Sequence, residues 1–395
     1  MSIDADVLIV GAGPAGSAAA ILLARRGVRV ILVDRAKFPR DKPCGDYCDP
    51  GAVRVLEELR CLPDILAAGG VAISVMRVVA QDGTEFTAPF PNGSGVLWPR
   101  IQLDAVLIER AARAGATIVE GFRVDHAART DDSVEIYSDR SRSMTGRLLI
   151  VADGMRSMTA RRLGLYSELS GGRFTVGAYF SVSGAGPAGE LHLGRGLYGG
   201  VARFASDVAN VCLALPRDRL KRHTPDQAFA RAVAELPRLA DELAGARRLS
   251  AFRCSGPVGF RASRVTADRV LLAGDAAMQI DPMTGQGIFF ALRSGTLAAE
   301  TAAAALSSGD LSSNALVPYL RRRAEEFGRK LTVAKLLQHL SLRPHLTPRL
   351  VGRLRAQPNL ATQLLGVTGD ALDPGRILMP QYVWRLLFSP STQRA

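Results

Sequence analysis

The sequence predicts an α/β fold on three observations. There is a strand, glycine turn, helix, strand unit at residues 6–34 and a strand, turn, helix unit at 268–306; between them lie β-branched or alternating runs. In the first unit, Asp6-Val-Leu-Ile-Val10 is an apolar run of buried-strand length. Gly11-Ala-Gly-Pro-Ala-Gly16 follows, then an Ala- and Leu-rich stretch to about Arg26 with Gly27 as its stop, then a second strand, Val28-Arg-Val-Ile-Leu-Val33. Asp34 closes it, 23 residues after Gly11. This is the βαβ dinucleotide fingerprint of a Rossmann-like domain. Gly11, Gly13 and Gly16 admit a pyrophosphate to the backbone, Pro14 and Ala15 open a helix whose N-terminus is positive, and the Asp34 carboxylate takes ribose hydroxyls. An acid at position 34 disfavours a 2′-phosphate.

Val7 to Ala24 is 18 residues without a charge, the length of a membrane span, but Gly11, Gly13, Pro14 and Gly16 in its first half argue for strand, turn and helix. The 395 residues suffice for two or three domains, and 47% hydrophobic with 22% charged content excludes disordered and fibrous classes. Five cysteines, an odd number without a CxxC pair, point to a reducing cytoplasmic setting, and the acidic N-terminus does not look like a signal peptide.

The hexapeptide recurs letter for letter at Gly184–Gly189. It follows the strand-like run Val176–Val182 but leads into Glu190-Leu-His-Leu-Gly-Arg-Gly196, which lacks helical periodicity, so the second copy is expected to be a hairpin loop and not a phosphate site. The unit at 268–306 reads as a buried strand (Val270 to Ala273), a polar turn at Gly274-Asp275, a loop with Pro282, Gly285 and Gly287, and a helix from Gly287 to about Leu306.

This segment resembles the ribityl-binding Gly-Asp segment of FAD-dependent oxidoreductases of the geranylgeranyl reductase and aromatic hydroxylase superfamily. The resemblance implies FAD as cofactor, with Asp275 on the ribityl chain and the Gly287–Ile288 turn near the flavin N1/O2 edge. Leu148-Leu-Ile-Val-Ala-Asp153-Gly154 is similar to the family's internal Asp-Gly motif, and Trp98-Pro-Arg100-Ile-Gln-Leu-Asp104 to the segment whose arginine reaches FAD. Phe38-Pro-Arg-Asp-Lys-Pro-Cys-Gly-Asp46 is similar to the loop of geranylgeranyl-reductase-like flavoproteins, which implies cofactor contacts at Cys44, Gly45 and Asp46 and a catalytic position for Cys44. Arg35 and Val124 complete the implied cofactor set. A thiol flanked by Arg40 and Lys42 is expected to have its thiolate stabilised; a packed loop thiol is the other reading. No metal site is expected, because no histidine lies near Cys44 and Cys48. Of the family's Tyr-x-Trp-x-Phe-Pro stretch only Tyr198 remains, and with Trp98 and Trp384 the only tryptophans, a tryptophan-type flavin halogenase is disfavoured.

The implied architecture is a three-layer FAD-binding domain (1–67, 99–171 and 261–320) threaded by a β-sheet substrate domain (68–98 and 172–260). A basic helical tail (321–395) completes the chain, and one helical pattern spans Pro225 to Leu243 within the substrate domain. The tail concentrates the charge: from Pro318 onward thirteen Lys and Arg face four acids, +9 of the chain's +13. Amphipathic tail helices on an anionic membrane surface are one reading, and a solvated basic face on helices packed over the substrate sheet is the other. Nucleic acid is disfavoured, since no recognised binding fold accompanies the 6% aromatic content. The expected activity is hydride transfer from reduced flavin to a C=C bond of an apolar, isoprenoid-like substrate, with NADPH or NADH as a transient reductant because no second helix-bearing fingerprint exists. Hydroxylation or epoxidation on the same fold, and a non-catalytic dinucleotide-binding protein, stay open as alternatives.

Overall fold

The computed structural model describes residues 3–138, 142–166, 172–182, 186–205, 207–221, 223–258, 261–341 and 343–388. Five parallel strands form the centre of the first sheet, in the order Val270–Leu272, Arg142–Val151, Ala5–Val10, Val30–Asp34, Thr117–Glu120. Period-two alternation splits their side chains between two cores. Val7 and Ile9 pack under the helices Pro14–Arg25, Arg100–Arg113 and Gly287–Ser308. Leu8 and Val10 face Ala127, Val134 and Ile136 of an antiparallel meander made by His126–Arg129, Val134–Ser138 and the first half of Arg142–Val151. These are the three layers.

The second sheet runs Arg247–Arg248, Arg173–Ser181, Val208–Pro216, Tyr198–Arg203, Ala188–Leu193, Val75–Val79, Glu85–Pro89, with Arg253–Val258 also on Arg173–Ser181. A small sheet of Tyr47–Cys48, Gly95–Leu97 and Val71–Ile73 joins the cysteine loop to it. Val71 to Val79 is therefore two strands in two sheets. The repeated hexapeptide does not form a hairpin loop: Gly184 and Ala185 lie outside the described residues, a strand rather than a helix begins at Ala188, and two other strands separate it from Arg173–Ser181. The connection is a crossover. The pattern Pro225 to Leu243 is two helices, Pro225–Ala234 and Pro237–Glu242. Pro237 lacks the N–H that would continue the ladder and holds Leu236 extended at φ −121° and ψ 79°, while the apolar spacing runs on unbroken through the break.

The tail forms helices Val317–Ser341, Thr347–Ala356, Pro358–Thr368, Gly375–Leu378 and Pro380–Phe388. Their Leu354, Leu360, Leu365, Ile377 and Tyr382 bury against Phe86 and Phe90 of the second sheet. No helix among the described residues is long and apolar enough to cross a membrane.

Candidate active site

The glycine turn is built by exclusion. Gly11, at φ +102°, sits where a Cβ would lie 2.3 Å from the Ala152 carbonyl oxygen, so only glycine lets the first strand end beside Asp153 and Gly154. At Gly16 a Cβ would meet the Gly11 oxygen at 1.9 Å. Gly13, the N-cap, differs: its nearest neighbour is the Arg40 guanidinium at 3.4 Å, and no side chain caps the helix it opens. Pro14 follows at N1, and Ala15 lies against Gly274 and Gly295, where Cβ atoms would come within 2.9 and 2.1 Å of it. The fingerprint helix is thereby keyed to the helix Gly287–Ser308 and the Gly274-Asp275 turn.

Asp34 stands at the end of its strand with one carboxylate oxygen accepting from Ala12 N (2.8 Å) and the other from Ala36 N (2.9 Å). Each oxygen keeps further lone pairs for ribose hydroxyls. Arg35 is exposed beside it, and half-buried Val124 packs in the cluster that holds Val10 and Val33. Arg40 bridges the carboxylates of Asp34 (4.0 Å) and Asp104 (3.2 Å).

Arg100 is buried, and two of its nitrogens donate to Asp104 at 2.8 and 3.0 Å, one helical turn on. Its third reaches Cys44 Sγ at 4.0 Å. Asp46, buried and at φ +55°, accepts from Arg100 N (2.9 Å), Asn210 Nδ2 (2.6 Å) and the Tyr179 hydroxyl, while Asn210 also donates to the Cys44 carbonyl at 2.8 Å. Asp46 thus ties the cysteine loop to the second sheet. The expected thiolate stabilisation at Cys44 is overturned: burial pushes this thiol up, the counteracting cation is Arg100, and Sγ accepts from Asp46 N at 3.3 Å. Charge neighbours read along the chain did not show how far the loop is buried.

Asp153 is half-buried, with its carboxyl pushed up by desolvation and one oxygen accepting from Thr159 Oγ1 at 2.9 Å. Asp275, half-buried on the 3₁₀ turn Gly274–Ala276, faces Lys42. Lys42 was not among the candidate site residues that the sequence suggested, yet it stands beside three that were, Gly154, Asp275 and Arg100. Its Nζ lies 3.7 Å from where a Gly154 Cβ would stand, and among the described residues it has no ion pair or hydrogen bond. Burial pulls its ammonium below the ordinary lysine value, with Asp275 and Asp104 opposing. A basic residue two places before Cys44-Gly45 was the available signal.

Gly45, Pro282, Gly285 and Gly287 stand on the wall of an apolar cavity of about 450 Å³. Gly285, at φ +72°, lies where a Cβ would be 2.9 Å from the Tyr47 ring. Gly287 starts the long helix with open space before it and no side-chain cap, and Ile288 is buried behind it. Val78, Phe86, Ala214, Leu337 and Leu354 continue the wall between the second sheet and the tail helices. Its polar members include Thr175, Cys212 and Tyr198, whose hydroxyl donates to Asp281. Asp281 also accepts from Arg173 (3.0 Å) and Gln338 (2.8 Å). Cys44 is not on this wall; Cys212 is, and burial pushes its thiol up to about 12, so it is neutral at physiological pH.

A glycine-cradled helix N-terminus, a ribose-type carboxylate and a half-buried ammonium without a protein partner among the described residues fit FAD, and together with the adjoining apolar cavity they describe a flavin-dependent redox enzyme. Residues 4–332 match the family model of the FAD binding domain. The chain is 32% identical over 409 residues to the menaquinone reductase of Mycobacterium tuberculosis, covering 94% of each chain. It is 30% identical over 349 residues to digeranylgeranylglycerophospholipid reductase 1 of Methanothermobacter thermautotrophicus, covering 84% of this chain and 85% of the relative. In fold it is similar to the flavin-dependent brominase Bmp2, with TM-score 0.82, 20% identity and 96% and 99% coverage. The chain belongs to the FAD-dependent oxidoreductases of the geranylgeranyl reductase and aromatic hydroxylase superfamily.

Proposed function

We propose that the protein reduces a carbon–carbon double bond in an apolar, isoprenoid-like chain. The observation that carries this reading is the cavity. It runs from Gly45, Gly285 and Gly287 to Leu336, Val383 and Leu387, and its wall is overwhelmingly aliphatic and aromatic. Two of the relatives are named as reductases, one with geranylgeranyl groups in its substrate's name, which supports the same class of substrate.

FAD, when bound and reduced, supplies the hydride. Gly11, Gly13 and Gly16 with the first helix N-terminus would hold its diphosphate, Lys42 would neutralise it, Asp34 would take the ribose and Asp275 the ribityl chain. The apolar wall orients the double bond and excludes water. Hydride on one carbon requires a proton on the next, and Cys212 and Tyr198 are proton-bearing groups on that wall. Asp281 accepts the Tyr198 hydrogen and fixes the ring. NADPH or NADH is the proposed electron donor, binding transiently.

Anaerobic turnover of polyprenyl substrates by the dithionite-reduced holoprotein tests the reading. The expected product carries two added hydrogens for each double bond reduced. Substrate-dependent oxygen consumption matched to product would instead establish a monooxygenase.

A further inference from the structure

The last helix, Pro380–Phe388, places Val383, Trp384, Leu387 and Phe388 on one stripe, and that stripe faces solvent. Trp384 is 59% and Phe388 66% exposed, whereas Tyr382 on the opposite side is buried and donates to the Leu360 carbonyl at 3.0 Å. The helix is therefore anchored by one face and leaves large apolar side chains on the other. Val383 and Leu387 belong both to this exposed stripe and to the wall of the cavity, as does exposed Leu336 on the helix Val317–Ser341. The apolar cavity opens where the apolar surface lies. Met379, which precedes the helix, is exposed as well.

The tail residues around it carry mainly positive charge. Between Leu331 and Phe388 seven Lys and Arg face two acids, and Lys335, Arg343, Arg349 and Arg385 are exposed. Of the acids, Asp370 is buried and paired with Lys330 at 3.1 Å, and Asp373 pairs with Arg329 at 3.7 Å. Aromatic side chains in the open with a basic collar are the chemistry of an element lying at the boundary of headgroups and acyl chains.

We propose that the cavity rim docks on an anionic lipid surface through Trp384 and Phe388, so that an apolar chain passes from the bilayer into the cavity without crossing water. This rests on the apolar-substrate reading above and adds where the substrate is collected. Charge complementarity selects the occupant: the exposed collar is positive, which suits anionic headgroups and disfavours a second copy of the same basic rim.

The test uses the holoprotein with vesicles of equimolar POPC and POPG, and of POPC alone. Trp98 is buried, so a change in tryptophan emission reports on Trp384. Expected are cosedimentation with the anionic vesicles, a blue shift of emission, and weakening at high salt. W384S/F388S, checked for unchanged flavin absorbance and circular dichroism, is expected to bind at least about tenfold more weakly. It should turn over detergent-dispersed substrate as the parent does, since neither residue lines the cavity. R343E/R385E should lose the preference for POPG. The proposal is overturned if the parent stays in the supernatant at low salt, if W384S/F388S binds undiminished, or if sedimentation shows a dimer that this variant dissolves. Vesicle binding without reduction of any C=C bond would sink the proposed function and leave the docking surface standing; turnover in detergent without vesicle binding would do the reverse.

Discussion

Gly13 and Gly16 are three residues apart in one motif, yet the structure assigns them different reasons to be glycine, and alanine separates the two. At Gly16 an added Cβ would lie 1.9 Å from the Gly11 oxygen, so about 1.5 Å of backbone movement is needed to restore ordinary contact. Overpacking of this kind costs about 1–3 kcal/mol, which lowers the melting temperature by several degrees with or without FAD. At Gly13 the protein itself offers room, the only neighbour within 4 Å being the tip of Arg40, and φ −77° with ψ −174° suits alanine. A loss of about 0.5–1 kcal/mol at the N-cap is largely offset by the stiffer unfolded chain. The methyl would instead stand on the face where the diphosphate meets the helix N-terminus. Losing one charge-assisted hydrogen bond there costs about 1.5–3 kcal/mol, so the FAD dissociation constant rises roughly 10- to 150-fold. Thermal melts of the apoproteins and FAD titrations followed by flavin fluorescence measure both effects. G13A with unaltered FAD affinity, or G16A with an unaltered apoprotein melt, would refute the cradle as described.

Lys42→Met removes the half-buried ammonium and is expected to weaken FAD binding at least about tenfold, with a shallower salt dependence of affinity; an apoprotein melt no lower than the parent's shows that the lysine serves the ligand. Gly200 lines the cavity and a Cβ there meets nothing within 4 Å, so Gly200→Leu should fill cavity space without lowering stability, raising KM for long polyprenyl substrates more than for short ones. Glu190 works against burial that would raise its pKa, and His192 with Arg203 bring it down to about 2 from 4.5. Its stabilisation is complete above about pH 4.5 and fades as pH falls towards 2, so E190Q should cost up to about 3 kcal/mol at neutral pH and flatten the acid limb of the stability profile in that window. Cys44 is half-buried and bears a thiol pushed up by desolvation, so alkylation of the native holoprotein at neutral pH should be far slower than that of a free thiol; rapid, stoichiometric loss of Cys44 would contradict the neutral assignment.

Local chemistry made much of this protein legible from its sequence. The fingerprint from Asp6 to Asp34, the strand and turn at Val270 to Asp275 and the helix from Gly287 are each set by neighbouring residues: glycine where a Cβ collides, β-branched runs where a strand is buried, and helix formers after a proline at N1. Those segments carry the FAD reading. What depended on distant residues was not legible. Pro237 breaks a helix whose periodicity continues unchanged, and the repeated hexapeptide joins strands that are not neighbours, because strand order is decided by pairings across the sheet.

The site divides in the same way. Arg40 and Lys42 adjoin Cys44 in the chain, but Arg100, 56 residues on, is the cation that reaches its sulfur, and Asp46 is held by Tyr179 and Asn210 from the second sheet. The basic tail was visible in composition, whereas the division of the Pro380–Phe388 helix into a buried Tyr382 side and an exposed Trp384 and Phe388 side exists only once that helix packs on Leu360 and opens the cavity beside it. By itself the sequence determined the dinucleotide cradle, the flavoprotein class and where the charge lies. The tertiary structure decided which thiol meets the cavity, which ammonium finds no partner among the described residues and which apolar residues stay in the open, because burial and long-range contact are properties of the packed chain and not of any segment in it.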